Sequence, residues 1–522
     1  MSEGFAPWGS DAAAVLPAAF VTPQGVSIHR IASAAYATGP ADDPPNTLYA
    51  PRLFGDVELS QSALDSLGIG GRVALGLAEI ALFDGDGAFS DPIRFGVADG
   101  RAVSIRVAPA TAPAASNVGT ALASAKLAFR GVVRAVRQAE DRAARLSVVD
   151  IAERLAVALQ ATRYAGTGGL EGDASLKDRP KPVALGRCAN MAPVFLGNVD
   201  LGAGSLPTYQ SHWRAILAHD AVRIRGAAQT AVGGTPTVGQ FRDWPSVGCF
   251  QLGSAPDGPV TADVRGDAVP LYVSTTAAIV RRLAQSLGPA LQDAEISADA
   301  FAFADTDLPG EVGWCRGAEE ISAADAAQAL CAGSGAVVAG GRAGQLRIFD
   351  PVATSAEQFA LPPWWIISLR PVDLPAALRP IPRTVAVDWR RNWTPLTDLP
   401  GSLSAADRAA LASATLGPAR ADSALITGRV AVQRTWRFPG LYWAESDALA
   451  RAQRWRAWLE AGPRAFEIVT DRYLGEIESG DIGRVTFPAY GLDLGARVGV
   501  IGWREQLGAR RLSLIVHTLP ES

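Results

Sequence analysis

Lysine, histidine, cysteine and methionine are all scarce in this 522-residue chain, which has four histidines, four cysteines and two methionines. Lysine occurs only at Lys126, Lys177 and Lys181. A basic surplus is missing too: 48 Lys and Arg stand against 52 Asp and Glu, for a formal net charge of −4. Proteins that hold nucleic acid need cations to displace counterions from phosphates, so stable nucleic-acid binding is not expected. The bias of the cations towards Arg, amid much Ala and Gly, reads as GC-rich coding rather than as function. The cysteines, Cys188, Cys249, Cys315 and Cys331, show no C-x-x-C spacing. A zinc or iron–sulfur site usually takes two ligands from one tight turn, so buried apolar thiols are the preferred reading. No dense disulfide framework is available, and stability must come from packing.

Long hydrophobic runs are absent as well. No stretch reaches the roughly 18 apolar residues of a membrane helix. Met1 to Thr22 has no basic start and is broken by Pro7, Gly9, Asp11 and Pro17, which argues against a signal peptide. A soluble protein made in a cytoplasm is the expectation. What is present is globular: 48% hydrophobic and 19% charged residues, enough for several cores and against long disorder. At about 100–200 residues per domain, three or four domains are expected.

The pattern is mostly β. TGPADDPPNT, Thr38 to Thr47, separates an N-terminal arm from the strand-rich region after it. Arg72 to Phe83, Asp91 to Phe95, Arg101 to Ala108 and Ala128 to Val136 read as strands, with a reversing turn at Asp84-Gly85-Asp86-Gly87. Ser147 to Gln160 reads as an amphipathic helix, with Ile151, Leu155, Ala158 and Leu159 on one face. Further strands are expected at 182–186, 191–196 and 221–225. Phe250 to Leu252 and Val260 to Val264 look like a hairpin around Gly253 to Gly258. Ser274 to Leu287 reads as a helix, and Ser322 to Cys331 as another, with Ser322 as its cap. A hairpin is expected over Gly335 to Asp350 and a strand over Thr384 to Trp389. Helices are expected next at Ser404 to Ala414 and Ser446 to Leu459. Strands return at 466–474, 484–487, 496–501 and 512–516. No solenoid repeat is visible.

Chemistry is hard to find. His29, His212, His219 and His517 are isolated. His212 and His219 lie seven apart, so on a helix they would share a face, but metal sites prefer spacings of three or four. A solvated surface is the preferred reading. Gly333-Ser334-Gly335 lacks the strand–turn–helix setting of a nucleophile elbow and reads as strand–turn–strand. The glycines at 68–71 and 340–344 fit turns better than phosphate loops. Glu319-Glu320 and Glu476/Glu478 are the obvious carboxylate pairs for glycoside hydrolysis. Glu476 and Glu478 alternate on an expected strand and would both face solvent. The 13 tryptophans concentrate at Trp364-Trp365, Trp389/Trp393 and Trp436/Trp443/Trp455/Trp458. Interfaces are preferred over exposed sugar platforms for them. No catalytic residue, cofactor or metal ligand is assigned.

An ordered series of segments does carry a resemblance. Tyr164-Ala165-Gly166, a Gly-rich loop and KDRPKPVALGR (Lys177 to Arg187), ending at Asn190, form the first. FQLGSAP (Phe250 to Pro256) with VTADVRG (Val260 to Gly266) form the second. VDWRRNWT (Val387 to Thr394) is the third; DIGRVTFPAYGL (Asp481 to Leu492) with Val500-Ile501-Gly502 is the fourth. Together they resemble the tail-tip or baseplate hub proteins of siphophages and prophages. Trp389 stands where that family usually has Tyr, and Gly483 where an apolar residue is common. Residues 1–45 carry no match.

The resemblance implies a structural, non-enzymatic virion protein at the tail tip. It implies a fold that is α+β and β-rich, with two hub-type β-barrel domains plus intervening α/β domains. The expected division is an N-terminal arm (1–47), a first barrel (48–163), middle distal or lateral domains (164–383) and a second barrel with inserted helices (384–522). It further implies a homotrimer below the tail tube that closes the channel until genome ejection. Partners would be a distal tail protein, a tape-measure protein and tail-fibre or central-spike proteins, with transient contact with the host envelope. The alternatives are a receptor- or polysaccharide-binding tail protein, or a cell-wall hydrolase.

Overall fold

The computed structural model describes residues 12–22, 25–64, 73–74, 76–95, 100–109, 121–122, 125–140, 142–429, 432–470, 472, 475–507 and 511–521. The glycines at 68–71 and the first eleven residues lie outside them.

Strand predominates, because alternating Val, Ile, Leu and Phe runs are cut every few residues by Gly, Pro and Asp turns. A 15-stranded sheet orders its main path Ile366–Val372, Ala465–Thr470, Arg511–Thr518, Leu492–Gln506, Leu53–Ser62, Leu77–Phe83, Ala143–Val149, Lys126–Gln138 and Ala102–Pro109. It continues through the hairpin Ala12–Thr22 and Gly25–Ala32 to Leu48–Pro51 and Tyr36–Ala37. The residues expected to form an arm therefore extend the sheet, with Val15 opposite Arg106.

Among the described residues no sheet closes into a barrel, so the two expected hub-type β-barrel domains do not stand as separate closed units. The reason lies in one long strand. Leu492–Gln506 gives one edge to Arg511–Thr518. Its other edge is shared, Ile482–Phe487 pairing along its first half and Leu53–Ser62 along its second. The strands of residues 48–163 and of 384–522 are thus fused into one sheet. They also share one core, where Leu59, Ile80 and Leu146 meet Ile468, Val500, Trp503 and Leu514.

The middle of the chain builds two five-stranded sheets. One runs Ala227–Ala228, Ile216–Ile224, Val260–Asp267, Val183–Met191, Gly313–Arg316; the other contains Val194–Asp200, Ser205–Gln210, Cys249–Leu252 and Gln240–Trp244. The hairpin expected around Gly253 to Gly258 is therefore not one: its two strands belong to different sheets. Close approach explains two glycines of the family-like segments. A Cβ on Gly266 would lie 2.2 Å from the Ala184 carbonyl oxygen, and one on Gly186 (φ +61) would lie 2.0 Å from that of Val312.

Helices cover a second core of Leu155, Val183, Ile279, Leu330, Val385, Trp455 and Trp458. Ala323–Ser334 starts where the Ser322 side chain accepts from the Asp325 N–H, and Ala405–Ala412 starts likewise at Ser404. Thr276–Arg282 and Glu445–Glu460 fall where periodicity put them. Two expectations fail. Asp91 to Phe95 is helical, within Ser90–Phe95. Ser147 to Gln160 ends a strand and continues as a 3-10 turn, Ile151–Leu155, because Asp150 caps it by accepting from the Ala152 N–H. Ile151, Leu155 and Leu159 are buried as expected, so periodicity located the core face but not the conformation.

Candidate functional site

Three of the four segments that carry the resemblance contribute to one junction; the fourth, Asp481 to Leu492 with Val500 to Gly502, lies in the large sheet. Val183–Met191 lies against Val260–Asp267, with Arg187 opposite Arg265. At its end Asn190 adopts φ +52, a conformation Asn tolerates. Its backbone N–H donates to Asp263 Oδ1 (2.8 Å), and its Nδ2 donates to Asn392 Oδ1 (2.9 Å) and the Thr394 carbonyl (2.6 Å). Asn392 Nδ2 in turn donates to the Leu411 and Ser413 carbonyls (2.8 and 2.9 Å). Two buried asparagines thereby tie the middle sheet to the Thr384–Trp389 strand and the Ala405–Ala412 helix. Asp263 also accepts two bonds from Arg223 (2.8 and 2.6 Å).

Around this tie lies an arginine–tryptophan surface. Arg187 pairs with Asp220 (2.9 Å) and Glu311 (3.4 Å), and Arg265 also pairs with Asp220 (2.8 Å). The guanidinium carbons of Arg187 and Arg390 lie 4.0 and 4.4 Å from the Trp443 ring centre, and Arg391 lies 4.4 Å from that of Trp393. Such stacking suits Arg, whose flat cation is weakly hydrated. Burial, with Arg187 and Arg223 nearby, lowers the Arg390 pKa against the pull of Asp263.

The histidines are placed differently from the expectation. His212 and His219 are buried, and His219 lies on a strand, not a helix. His212 Nδ1 accepts from the Ala184 N–H (3.1 Å), which leaves Nε2–H to face Asp267 (3.3 Å). His219 forms a constellation that no sequence motif announces. Its Nδ1 lies 2.6 Å from Asp243 Oδ1 and its Nε2 lies 3.0 Å from Ser211 Oγ. These are the contacts of a Ser–His–Asp relay. Ser211 is fully enclosed, however, and the His219 ring packs edge-on against Phe250 at 4.9 Å. A hydroxyl with no exposed surface has no path to an acyl group, so the relay pins the strands Ile216–Ile224 and Gln240–Trp244 to the bend that follows Ser205–Gln210.

The carboxylate pairs separate. Glu476 is exposed while Glu478 is buried in a loop, so the two do not share a solvent face. Glu478 Oε1 accepts from the Arg342 N–H (2.6 Å), and burial pushes its pKa up to about 7, with Arg347 and Arg342 opposing. Glu319 and Glu320 are exposed and ion-paired, with Arg316 and Arg163 respectively. Gly333-Ser334-Gly335 ends a helix, Gly335 being its left-handed cap, which corrects the strand–turn–strand reading.

Most tryptophans serve the core. Trp455 and Trp458 are fully enclosed and meet edge-to-face at 5.5 Å, with Trp436 5.0 Å from Trp455. Trp364 alone of the concentrations is strongly exposed, at 76%. The cysteines do not converge: Cys188 and Cys315 share one core, while Cys249 and Cys331 sit in two others. All four are free, and burial pushes the Cys249 thiol up to about 12.

A further polar network joins the large sheet to the Val337–Gly340 and Leu346–Phe349 hairpin. Arg342 pairs with Glu505 (2.7 Å), both enclosed, and lies 3.9 Å above Trp503. Gln61 Nε2 donates to Asp150 (3.1 Å) and to the Gly340 carbonyl (2.7 Å). Arg451 holds Asp350 through two bonds (2.6 and 2.8 Å). Sequence reading missed these residues because nothing in spacing distinguishes a buried Arg from a solvated one. Among the described residues no group of three or more His, Cys, Asp and Glu is arranged to hold a metal ion.

No family profile matches the chain. No curated protein matches it either. Solved structures are similar at low identity. The 43 kDa tail protein of prophage MuSo2 from Shewanella oneidensis is 11% identical, with a TM-score of 0.41, over 98% of this chain and 99% of that one. A tail protein from Neisseria meningitidis is 9% identical, with a TM-score of 0.38, over 96% of each chain. A chain of the native gene transfer agent virion is 12% identical, with a TM-score of 0.39, over 71% of this chain and 91% of that one.

Proposed function

We propose that this chain is a structural subunit of a phage-type tail, a hub at the tail tip or baseplate. The reading rests on the ordered segments from Tyr164 to Gly502. One observation carries it: distinctive residues of three of these segments meet in the fold as a joint between modules. Asn190, Asp263 and Asn392 bond to one another or to each other's backbone, and Gly186 and Gly266 permit strand contact. A scaffold needs such joints, whereas an enzyme would present at least one reactive group to solvent. The enclosed Ser211–His219 pair and the enclosed Glu478 support a non-enzymatic role.

In this reading three copies form a ring below the tail tube. The strands of residues 48–163 and 384–522 supply two hub-type units per copy, and residues 164–383 form the distal or lateral part. The ring closes the channel until ejection. It contacts a distal tail protein, a tape-measure protein and fibre or spike proteins in the virion. Ring assembly also suits the sheet, since Ile366–Val372 ends it with exposed Ile367 and an outer edge that no strand among the described residues pairs. Size-exclusion chromatography with light scattering on the purified full chain tests this. Three times the chain mass is expected; a monomer at micromolar concentration overturns the hub reading.

Exposed Trp364 favours one second reading, a glycan-binding tail protein. Binding of host polysaccharide that Trp364→Ala abolishes would support it.

A further inference from the structure

The hairpin Val337–Gly340 and Leu346–Phe349 is wedged between two apolar clusters. Val338, Leu346 and Ile348 belong to the helical core, while Val337, Ala339 and Phe349 pack with Ala63 of the large-sheet side. Charges at the hairpin's turn hold it there. The hairpin supplies Arg342 and Arg347, Leu492–Gln506 supplies Glu505, and the loop before Ile482–Phe487 supplies Glu478 and Asp481. All but half-buried Arg347 are buried. Arg342 pairs with Glu505 (2.7 Å) and Arg347 with Asp481 (2.6 Å). Glu478 is left over as the third carboxyl against two cations. Among the described residues no cation lies within ion-pair distance of it, and its enclosed Oε2 has no hydrogen-bond partner. Its own N–H donates to Asp481 Oδ2 (2.8 Å), so a carboxylate is its neighbour. An ionised Glu478 would be a buried, unpaired charge, far costlier than a neutral carboxyl. The other charged groups facing the hairpin have partners. Asp150 accepts from the Gly76 and Ala152 N–H groups and from Gln61. Asp350 has Arg451 and Asp307 has Arg454. Arg130 is exposed beside Gly344, and its N–H donates to the Arg342 carbonyl (2.7 Å).

We propose that this hairpin is a proton-held latch: with Glu478 neutral it stays clamped between the large sheet and the helical core, and loss of that proton loosens it. The latch is complete within one chain, so it stands or falls independently of the hub reading. Burial raises Glu478 from 4.5 to about 7, with Arg347 and Arg342 opposing and Asp481 assisting. The closed hairpin therefore holds a proton that the open one releases. Opening becomes easier as pH rises from 4.5 to about 7 and levels off above that. Asp150, which burial raises to about 6, adds the same trend in a lower window.

Hydrogen exchange on the full chain, read as protection factors at pH 6 and pH 8, tests this. Amides of Val337 to Phe349 are expected to lose about tenfold in protection between the two conditions in wild type, and no more than about twofold in E478Q. The strand Val260–Asp267, in a different sheet, should change by less than about twofold in both proteins, which separates local opening from unfolding of the whole chain. Unchanged protection of the wild-type hairpin overturns the latch. So does a fall that E478Q keeps in full, or one that Val260–Asp267 shares equally. The wild-type comparison of hairpin and strand decides even without the variant.

Discussion

Asn392 shows how much one side chain can hold. Its amide donates to the Leu411 and Ser413 carbonyls and more weakly to that of Ala410, and its oxygen accepts from Asn190 and from the Thr394 N–H (3.1 Å). Asn392→Ala strands all of these in a site that is 8% exposed. We expect a loss of about 2–4 kcal/mol, read as a lowered urea midpoint; a change below about 0.5 kcal/mol would contradict the joint. Titration offers a second test at this scale. Burial raises Glu478 from 4.5 to about 7, so the folded state binds the extra proton and stability falls as pH rises through that window. Burial lowers His517 from 6.5 to about 4, against the Pro351 and Thr518 backbone, so stability rises as pH rises through its window. The two trends oppose each other. Glu478→Gln should remove the falling one, so that the variant gains about 1–3 kcal/mol relative to wild type between pH 4.5 and 7. A pH-independent difference in melting would refute the assignment. Neither residue was legible in the sequence as buried. Glu478 alternates with Glu476 like a surface pair, and only the fold shows that the loop turns it inwards beneath Arg342.

Elements were read more successfully where their ends carry a chemical signal. Ser322 and Ser404 each cap a helix as their spacing to Asp325 and Asp407 implied. Glu445–Glu460 was legible because Ala452, Trp455 and Leu459 recur at helical spacing and all are buried. The same periodicity misled at Ser147 to Gln160, where buried residues three and four apart line a strand end and a 3-10 turn instead. The tryptophans give a test of packing against exposure. Trp455→Ala empties an enclosed site between Trp436 and Trp458 and should cost about 3–5 kcal/mol. Trp364→Ala, on an exposed turn beside the sheet edge, should change the stability of the isolated chain by less than about 0.5 kcal/mol. Thermal unfolding of both variants checks this, and equal losses would contradict the burial described.

At the scale of the molecule, the strand Leu492–Gln506 decides the architecture. Sequence reading found parts of it but not its partners, because pairing between residues more than four hundred apart leaves no local trace. Its contact with Leu53–Ser62 predicts that residues 384–522 expressed alone leave the sheet half of their core uncovered and do not fold stably. Their amide spectrum should be poorly dispersed, and adding residues 1–383 in trans should restore dispersion. A well-folded isolated fragment would show the fused sheet to be dispensable.

The ordered segments were legible as a series, but the sequence did not reveal that the first three meet at the Asn190–Asn392 joint. The central claim is that this chain is a tail-tip scaffold, and an electron cryo-microscopy reconstruction of assembled particles tests it most directly. The account predicts three copies in a ring at the end of the tail tube. Particles complete in their tails but lacking this chain would contradict it.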